Sequence, residues 1–181
     1  YREIPTEGIS RISDLDFSYA ARMGAAIKLF GFSRMMDGNV YMEAAPVFID
    51  VKNPLYSVDG VFNGILVKGN MLGASMYYGS GAGKLPTASA VVSDVVDCAK
   101  HLHRNVMVNW SSSRLELMNI DEVANRFFVR VSGTPAERKE EVEKLFGPGD
   151  IVTVPGLPEE FAFITRMITE RSFRERAEQL D

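Results

Sequence analysis

Residues 77–94 read YYGSGAGKLPTASAVVSD, and nothing else in the chain restricts its fold so tightly. Aromatic, strand-favouring residues run into alternating glycines, and a helical period begins after Lys84-Leu85. From Pro86 onward Ala88, Val91, Val92, Val95, Ala99 and Leu102 form one apolar face, while Ser89, Ser93, Asp94, Asp97 and Lys100 form the other. The spacing predicts a helix over 86–103, entered from a strand through Gly79-Ser80-Gly81-Ala82-Gly83. Such a junction points unpaired backbone N–H groups out of the helix start, where an anionic or polar ligand can accept them. Glycine there permits φ > 0 and close approach to the backbone. A tight turn with no ligand fits the same pattern. The standard nucleotide signatures do not. A P-loop needs glycine at 78 and Ser or Thr at 85, which are Tyr78 and Leu85, and a Rossmann fingerprint from Gly79 needs glycine at 84, which is Lys84.

Upstream, Ser13-Asp14-Leu15-Asp16 has the capping and acidic residues of a helix start. Phe17, Ala20, Ala21, Gly24 and Ile27 continue at helical spacing, predicting a helix over 14–30. Asp37-Gly38 signals a hairpin between GFSRMM and NVYMEAAPVFI. A second strand pair, VFNGILV at 61–67 and ASMYY at 74–78, is joined by KGNMLG. Residues 104–122 lack a sustained period and read as a connection. Beyond them RFFVRVSG alternates, with Phe127, Val129 and Val131 on one side. PAERKEEVEKLFG is a helix with Pro135 early, Gly147 past its end and a Glu140–Lys144 pair at i,i+4. DIVTV and FAFITRMI are strands, and RSFRERAEQL closes as a helix. The order β-α-β-β-α is most of a ferredoxin-like sandwich. The fold class expected is α+β: a mixed or antiparallel sheet of hairpin strands covered by the 14–30 and 86–103 helices, then a small ferredoxin-like α/β sandwich.

Composition narrows the partners. A net charge of -4 and a pI near 5.3 disfavour nucleic acid. No stretch approaches the roughly 20 apolar residues of a membrane span, and YREIPTEG lacks the pattern of a signal peptide. The one cysteine, Cys98, provides neither a disulfide framework nor a cysteine zinc cluster, so the expected compartment is the cytoplasm.

Three segments in register, TEGISRISDLDFSYAARMGAAIKLFG, NPLYSVDGVFNGILVKG and GSGAGKLPTASAVVSD, resemble homoserine dehydrogenase, and the likeness runs from residue 1 to about 104. The resemblance implies an NAD- or NADP-dependent oxidoreductase that interconverts L-homoserine and L-aspartate 4-semialdehyde, on the route to threonine, isoleucine and methionine. It implies a homodimer whose catalytic-region sheets pair. It carries Gly83 over as a cofactor contact, with Gly81 and Ala82 as neighbours. The family's catalytic lysine follows an aspartate by four residues. The lysines at 28, 52, 68, 84, 100, 139 and 144 follow Gly, Phe, Gly, Ser, Val, Pro and Glu at that distance, so no catalytic residue and no metal ligand is assigned. The expectation is the C-terminal part of the enzyme, without its dinucleotide-binding domain and inactive by itself.

Residues 123–181 resemble, more weakly, an ACT-like domain, the amino-acid-sensing module often joined to this family. Ser132-Gly133-Thr134-Pro135-Ala136 departs from the Asp-x-Pro-Gly turn of effector-binding members, and a terminal strand is missing. The division expected is 1–104 catalytic and dimerisation region, 105–122 linker, 123–181 ACT-like domain, with an amino-acid effector as a possible partner. The alternative is a non-catalytic amino-acid-binding regulatory module. Glu7 reads as fixing a turn, Lys28 as a solvated lysine at a helix end and Lys84 as a helix-entry charge. His101 and His103 read as dipole-placed, Cys98 as packing, and Trp110 as an interface residue or one buried on the sheet.

Overall fold

The computed structural model describes residues 2–180 as an α+β chain with four helices and several small antiparallel sheets. It divides into two compact units, one formed by the residues up to Asp50 with those from Leu115 on, the other by Val51–Arg114.

The first unit opens with α1 (Asp14–Arg22), entered through Ser13, whose backbone N–H and hydroxyl both donate to the Asp16 carboxylate at 2.7 and 2.8 Å. The helix stops after nine residues, not at 30 as its spacing suggested. Gly24, at φ +64°, takes the left-handed conformation that closes helices. The next residues form β1 (Ala25–Met36), paired in antiparallel register with β2 (Asn39–Asp50) from Ala25↔Asp50 to Met36↔Asn39. Asp37 and Gly38, at φ +50° and +82°, make the turn, and consecutive positive φ values match the twist of the flanking strands. Gly24 and Ile27 met the helical period, but the twelve-residue ladder closed by this turn claims the residues from Ala25 on.

The C-terminal residues supply β5 (Ala124–Asn125), β6 (Phe128–Ser132), α3 (Pro135–Phe146), β7 (Asp150–Val152), β8 (Glu160–Ile164), β9 (Ile168–Thr169) and α4 (Glu170–Ala177). Strands β6, β8 and β7 form one antiparallel sheet with β8 in the centre, and β5 pairs with β9. Helix α3 begins where Thr134 donates from its N–H and hydroxyl to Glu137 at 3.0 and 2.9 Å, with Pro135 next, and ends at Gly147 at φ +78°.

The alternation of β6 organises this unit. On one side Val131 and Val129, paired with Phe161 and Phe163, join Val142 and Phe146 of α3 and Phe173 of α4 in the core. Each fully buried side chain there contributes about 1.5–3 kcal/mol relative to exposure. On the other side Phe128 meets the Tyr19 ring edge-on at 5.7 Å and the Phe48 ring at 4.6 Å. Arg130 lies on this side too, and binds Glu160 through two bonds of 2.7 and 3.1 Å, the Ser13 hydroxyl at 3.1 Å and Asp16 at 3.3 Å. The β6 sheet thus packs between the α3/α4 layer and the α1/β2 layer.

The second unit contains the hairpin β3 (Phe62–Gly69) and β4 (Gly73–Ser80), followed by α2 (Lys84–Lys100). The NPLYSVDG segment folds over the hairpin through an Asx turn in which Asn53 Oδ1 accepts from the Leu55 N–H at 3.0 Å. Leu55 and Val58 close over Gly64, where a Cβ would meet Leu55 Cδ2 at 2.6 Å. No residue of α2 is buried among the described residues, and Val91, Val92 and Val95 are each more than half exposed. The expected covering of one sheet by the 14–30 and 86–103 helices is therefore not found: α1 is short, α2 is bare, and the strands form separate small sheets. Among the described residues no helix is long and apolar enough to cross a membrane.

Candidate functional site

The glycine loop leaves β4 at Gly79-Ser80 and reaches the helix at Gly83, the N-cap of α2. Gly83 sits at φ +109°, ψ 160°, a region that only glycine adopts without strain. A Cβ built there would meet only Pro86 Cδ at 3.7 Å, so conformation, not crowding, demands glycine. Its carbonyl accepts from the Thr87 hydroxyl at 2.8 Å and the Thr87 N–H at 3.2 Å.

This arrangement decides which donors face outward. Of the first four helix positions, Pro86 has no N–H and that of Thr87 bonds Gly83. The amides of Lys84 and Leu85 remain at a helix start with no side-chain cap and no acidic residue in its first turn. The positive end of the helix dipole is thus left unbalanced by any local carboxylate. Gly81, Ala82, Gly83 and Lys84 are all exposed. Two backbone donors beside an exposed glycine can serve a polar or anionic group of a ligand.

The three predicted contacts are consecutive in this loop. Gly81 differs from Gly83: it has no positive φ, and a Cβ there would overlap only the amide end of the exposed Asn63 side chain, which can turn aside. Residue patterns had not singled out Thr87. A hydroxyl four residues beyond a glycine at a helix start was the available signal.

The other residues resolve as follows. The Glu7 N–H donates to Ala44 O at 2.8 Å, and the Glu7 carboxylate pairs with Arg11 at 3.0 Å, fixing a turn along β2. Lys28 lies in β1 opposite Val47, not at a helix end. His101 is the C-cap of α2, with Nδ1 2.9 Å from Asp97 O, and His103 follows at φ +62°. Cys98 is exposed, and Trp110 is 87% exposed, so neither packs as a core residue. Both sit in stretches that this unit leaves uncovered.

Two tyrosines in the first unit have displaced acidities. Burial, then the nearby Glu160 carboxylate, pushes Tyr19 up to about 12. Burial and a hydrogen bond to Glu43 do the same to Tyr41, also to about 12. Burial works to raise the Asp16 carboxyl, but the Ser13 hydrogen bonds and the Arg130 charge outweigh it and hold it below its ordinary value. These groups bind structure together and show no geometry of proton transfer.

The sequence profile of homoserine dehydrogenase matches residues 1–96, more than half of the chain. The chain belongs to the homoserine dehydrogenase family. The homoserine dehydrogenase of Synechocystis sp. is 45% identical over 102 residues, 52% of this chain and 23% of that protein. The Neisseria gonorrhoeae homoserine dehydrogenase is 36% identical over 133 residues, 69% of this chain and 31% of that protein. The crystal structure of a homoserine dehydrogenase from Thiobacillus denitrificans superimposes on 96% of this chain with a TM-score of 0.78 at 25% identity, using 43% of that chain. That of Staphylococcus aureus at pH 7.5 covers 98% of this chain with a TM-score of 0.72, using 45% of its own. The chain thus spans about a third or less of these curated relatives, and under half of the solved structures.

Proposed function

We propose that this chain contributes the cofactor-facing glycine loop of an NAD- or NADP-dependent homoserine dehydrogenase, acting on L-homoserine and L-aspartate 4-semialdehyde in the cytoplasm. The observation that carries the reading is Gly83: a residue within the stretch that matches the family, held at φ +109° by the loop, with only Pro86 Cδ near where a side chain would stand. The bound dinucleotide supplies hydride transfer. The loop's part is placement, because a donor and acceptor held in reactive geometry need no further search. Gly83 leaves its backbone open to the cofactor, Gly81 and Ala82 carry the chain up to it, and the Lys84 and Leu85 amides offer donors beside it.

The proton of the substrate hydroxyl needs a general acid or base. No lysine in these 181 residues follows an aspartate by four positions. Residues 1–181 alone are accordingly expected to be inactive. The β6-α3-β7-β8-α4 order supports reading residues 123–181 as an ACT-like, ferredoxin-like module, beside a 1–104 catalytic and dimerisation region and a 105–122 connection. A homodimer and an amino-acid effector follow from the same kinship.

The test is a spectrophotometric assay of the polypeptide at its native length, with L-homoserine and NAD+ or NADP+. Homoserine-dependent reduction that is lost on Gly83→Val supports the proposal. No reduction, together with saturable binding of a free amino acid, replaces it with a regulatory module.

A further inference from the structure

We propose that Thr87 is a positioning residue for the cofactor loop: its hydroxyl fixes the Gly83–Lys84 peptide plane and so aims the Lys84 N–H at the dinucleotide. The inference rests on the dehydrogenase reading and deepens it. Two donors converge on the Gly83 carbonyl, the Thr87 hydroxyl at 2.8 Å and the Thr87 N–H at 3.2 Å. The shorter bond comes from the side chain. A peptide unit is planar, and with no cis bond among the described residues its C=O and N–H point in opposite directions. Whatever holds the Gly83 oxygen down the helix therefore holds the Lys84 N–H outward from its start.

An ordinary N-cap does the reverse. A Ser, Thr, Asp or Asn at the cap accepts from the N–H two or three residues on. Here it would consume the Leu85 amide, because Pro86 has none. Gly83 has no side chain and leaves the Lys84 and Leu85 amides free, but the first turn then lacks a cap. Thr87 supplies the missing restraint from inside the helix, on the carbonyl side, and covers neither donor. Its branched Cβ limits χ1 to rotamers that include the one in which the hydroxyl reaches the carbonyl four residues back. In a well-packed helix such a bond is a minor adjustment. In α2 no described residue is buried, and Gly83 is the residue type with the freest backbone, so little else fixes this peptide plane.

The experiment compares Thr87→Val and Thr87→Ser in the native-length polypeptide, assayed with L-homoserine and NAD+ or NADP+. Valine keeps the shape and has a helix propensity close to that of threonine, so the first change removes the hydroxyl and little else. Serine keeps the hydroxyl. Thr87→Val should raise KM for the dinucleotide by about three- to tenfold, the worth of one hydrogen bond. The homoserine KM should change little, and Thr87→Ser should stay within about twofold of wild type. An unchanged dinucleotide KM in Thr87→Val would overturn the proposal, as would a loss confined to kcat. An equal loss in Thr87→Ser would also overturn it, since the methyl group and not the hydroxyl would then be at work.

NMR of the isotope-labelled chain reads the same peptide plane without turnover. The Gly83 carbonyl carbon and the Lys84 amide should shift together in Thr87→Val and return in Thr87→Ser. Resonances that move alike in both variants, or in neither, reject the restraint. A wild-type protein with no homoserine-dependent reduction would refute the dehydrogenase reading and with it the cofactor role, and the spectra would still decide whether Thr87 holds the plane.

Discussion

Arg130 joins the β6 sheet to the start of α1, and replacing it with methionine tests how the first unit is held together. Methionine keeps an apolar stem in place of the arginine chain and removes the charge and all four bonds. The Glu160 side bears most of the cost. Both guanidinium bonds to Glu160 vanish, at 2.7 and 3.1 Å, leaving a carboxylate only 20% exposed beside the buried Tyr19. Asp16 fares better, because it keeps the Ser13 N–H and hydroxyl. Breaking a fully buried pair costs about 3–5 kcal/mol, and an exposed pair is worth about 0.2–1. With Arg130 at 30% exposure this pair falls between, so Arg130→Met should cost about 2–3 kcal/mol. That corresponds to roughly 4–12 °C in Tm for a chain of this size. Urea unfolding followed by far-UV circular dichroism measures it as a shift of midpoint at constant slope. The distinguishing step is rescue. Arg130→Met with Glu160→Gln removes the stranded charge and should recover about half of the loss. Arg130→Met with Asp16→Asn should recover none, and should lose about 1 kcal/mol more through the weakened cap. A single-variant loss below about 0.5 kcal/mol, within the ordinary surface range, refutes the reasoning, as does rescue by Asp16→Asn instead of Glu160→Gln.

Gly149→Ala would drive a Cβ into the buried Phe163 ring and to 2.5 Å from the Ile164 carbonyl oxygen. Neither can withdraw, so a loss of about 1–3 kcal/mol is expected by the same urea assay. Tyr19 and Tyr41, each raised to about 12, stay protonated in the folded chain after unfolded tyrosine ionises near 10. Their contribution is fully present below pH ~10 and is lost as pH rises toward 12. Absorbance at alkaline pH should show a late-titrating tyrosine component, and Tyr19→Phe and Tyr41→Phe should each remove part of it. Asp16 runs the other way: its lowered pKa gives stability present above the unfolded carboxyl range near 4 and lost as pH falls below it, a slope that Asp16→Asn should flatten.

What was legible in the sequence was local. Asp37-Gly38 announced its turn because two successive positive φ values are tolerable to few residue pairs. The α3 boundaries followed from Pro135 and Gly147, both signals local to one helix. The error over 14–30 arose because Gly24 and Ile27 satisfy a period that a ladder formed across the Asp37-Gly38 turn overrides. Periodicity found α2 but said nothing of what covers it. The long-range contacts were illegible for the same reason. Asn63 meets Gly81 only once the β3–β4 register is set, and Arg130 reaches Asp16 across more than a hundred residues.

The two units differ in what keeps their geometry, and this bears on where the loop is vulnerable. The first unit has a core of Val131, Val142, Phe146, Phe161 and Phe163, so its backbone is held by many contacts at once. In the second, α2 carries Leu85, Val91, Val92, Val95 and Val96 exposed by 46–79%, and no buried core residue comes from Val51–Arg114. A helix without tertiary cover gains little stability beyond its own hydrogen bonds. The conformation at Gly83 then depends on a few local restraints: the β3–β4 ladder, the Phe62–Tyr78 stack, and Thr87 on the Gly83 carbonyl. With so few restraints, none is redundant. Loosening one is transmitted to Gly83 and is not absorbed by a packed interior, so in this unit small side chains near the loop should control cofactor placement more strongly than large apolar ones farther along α2.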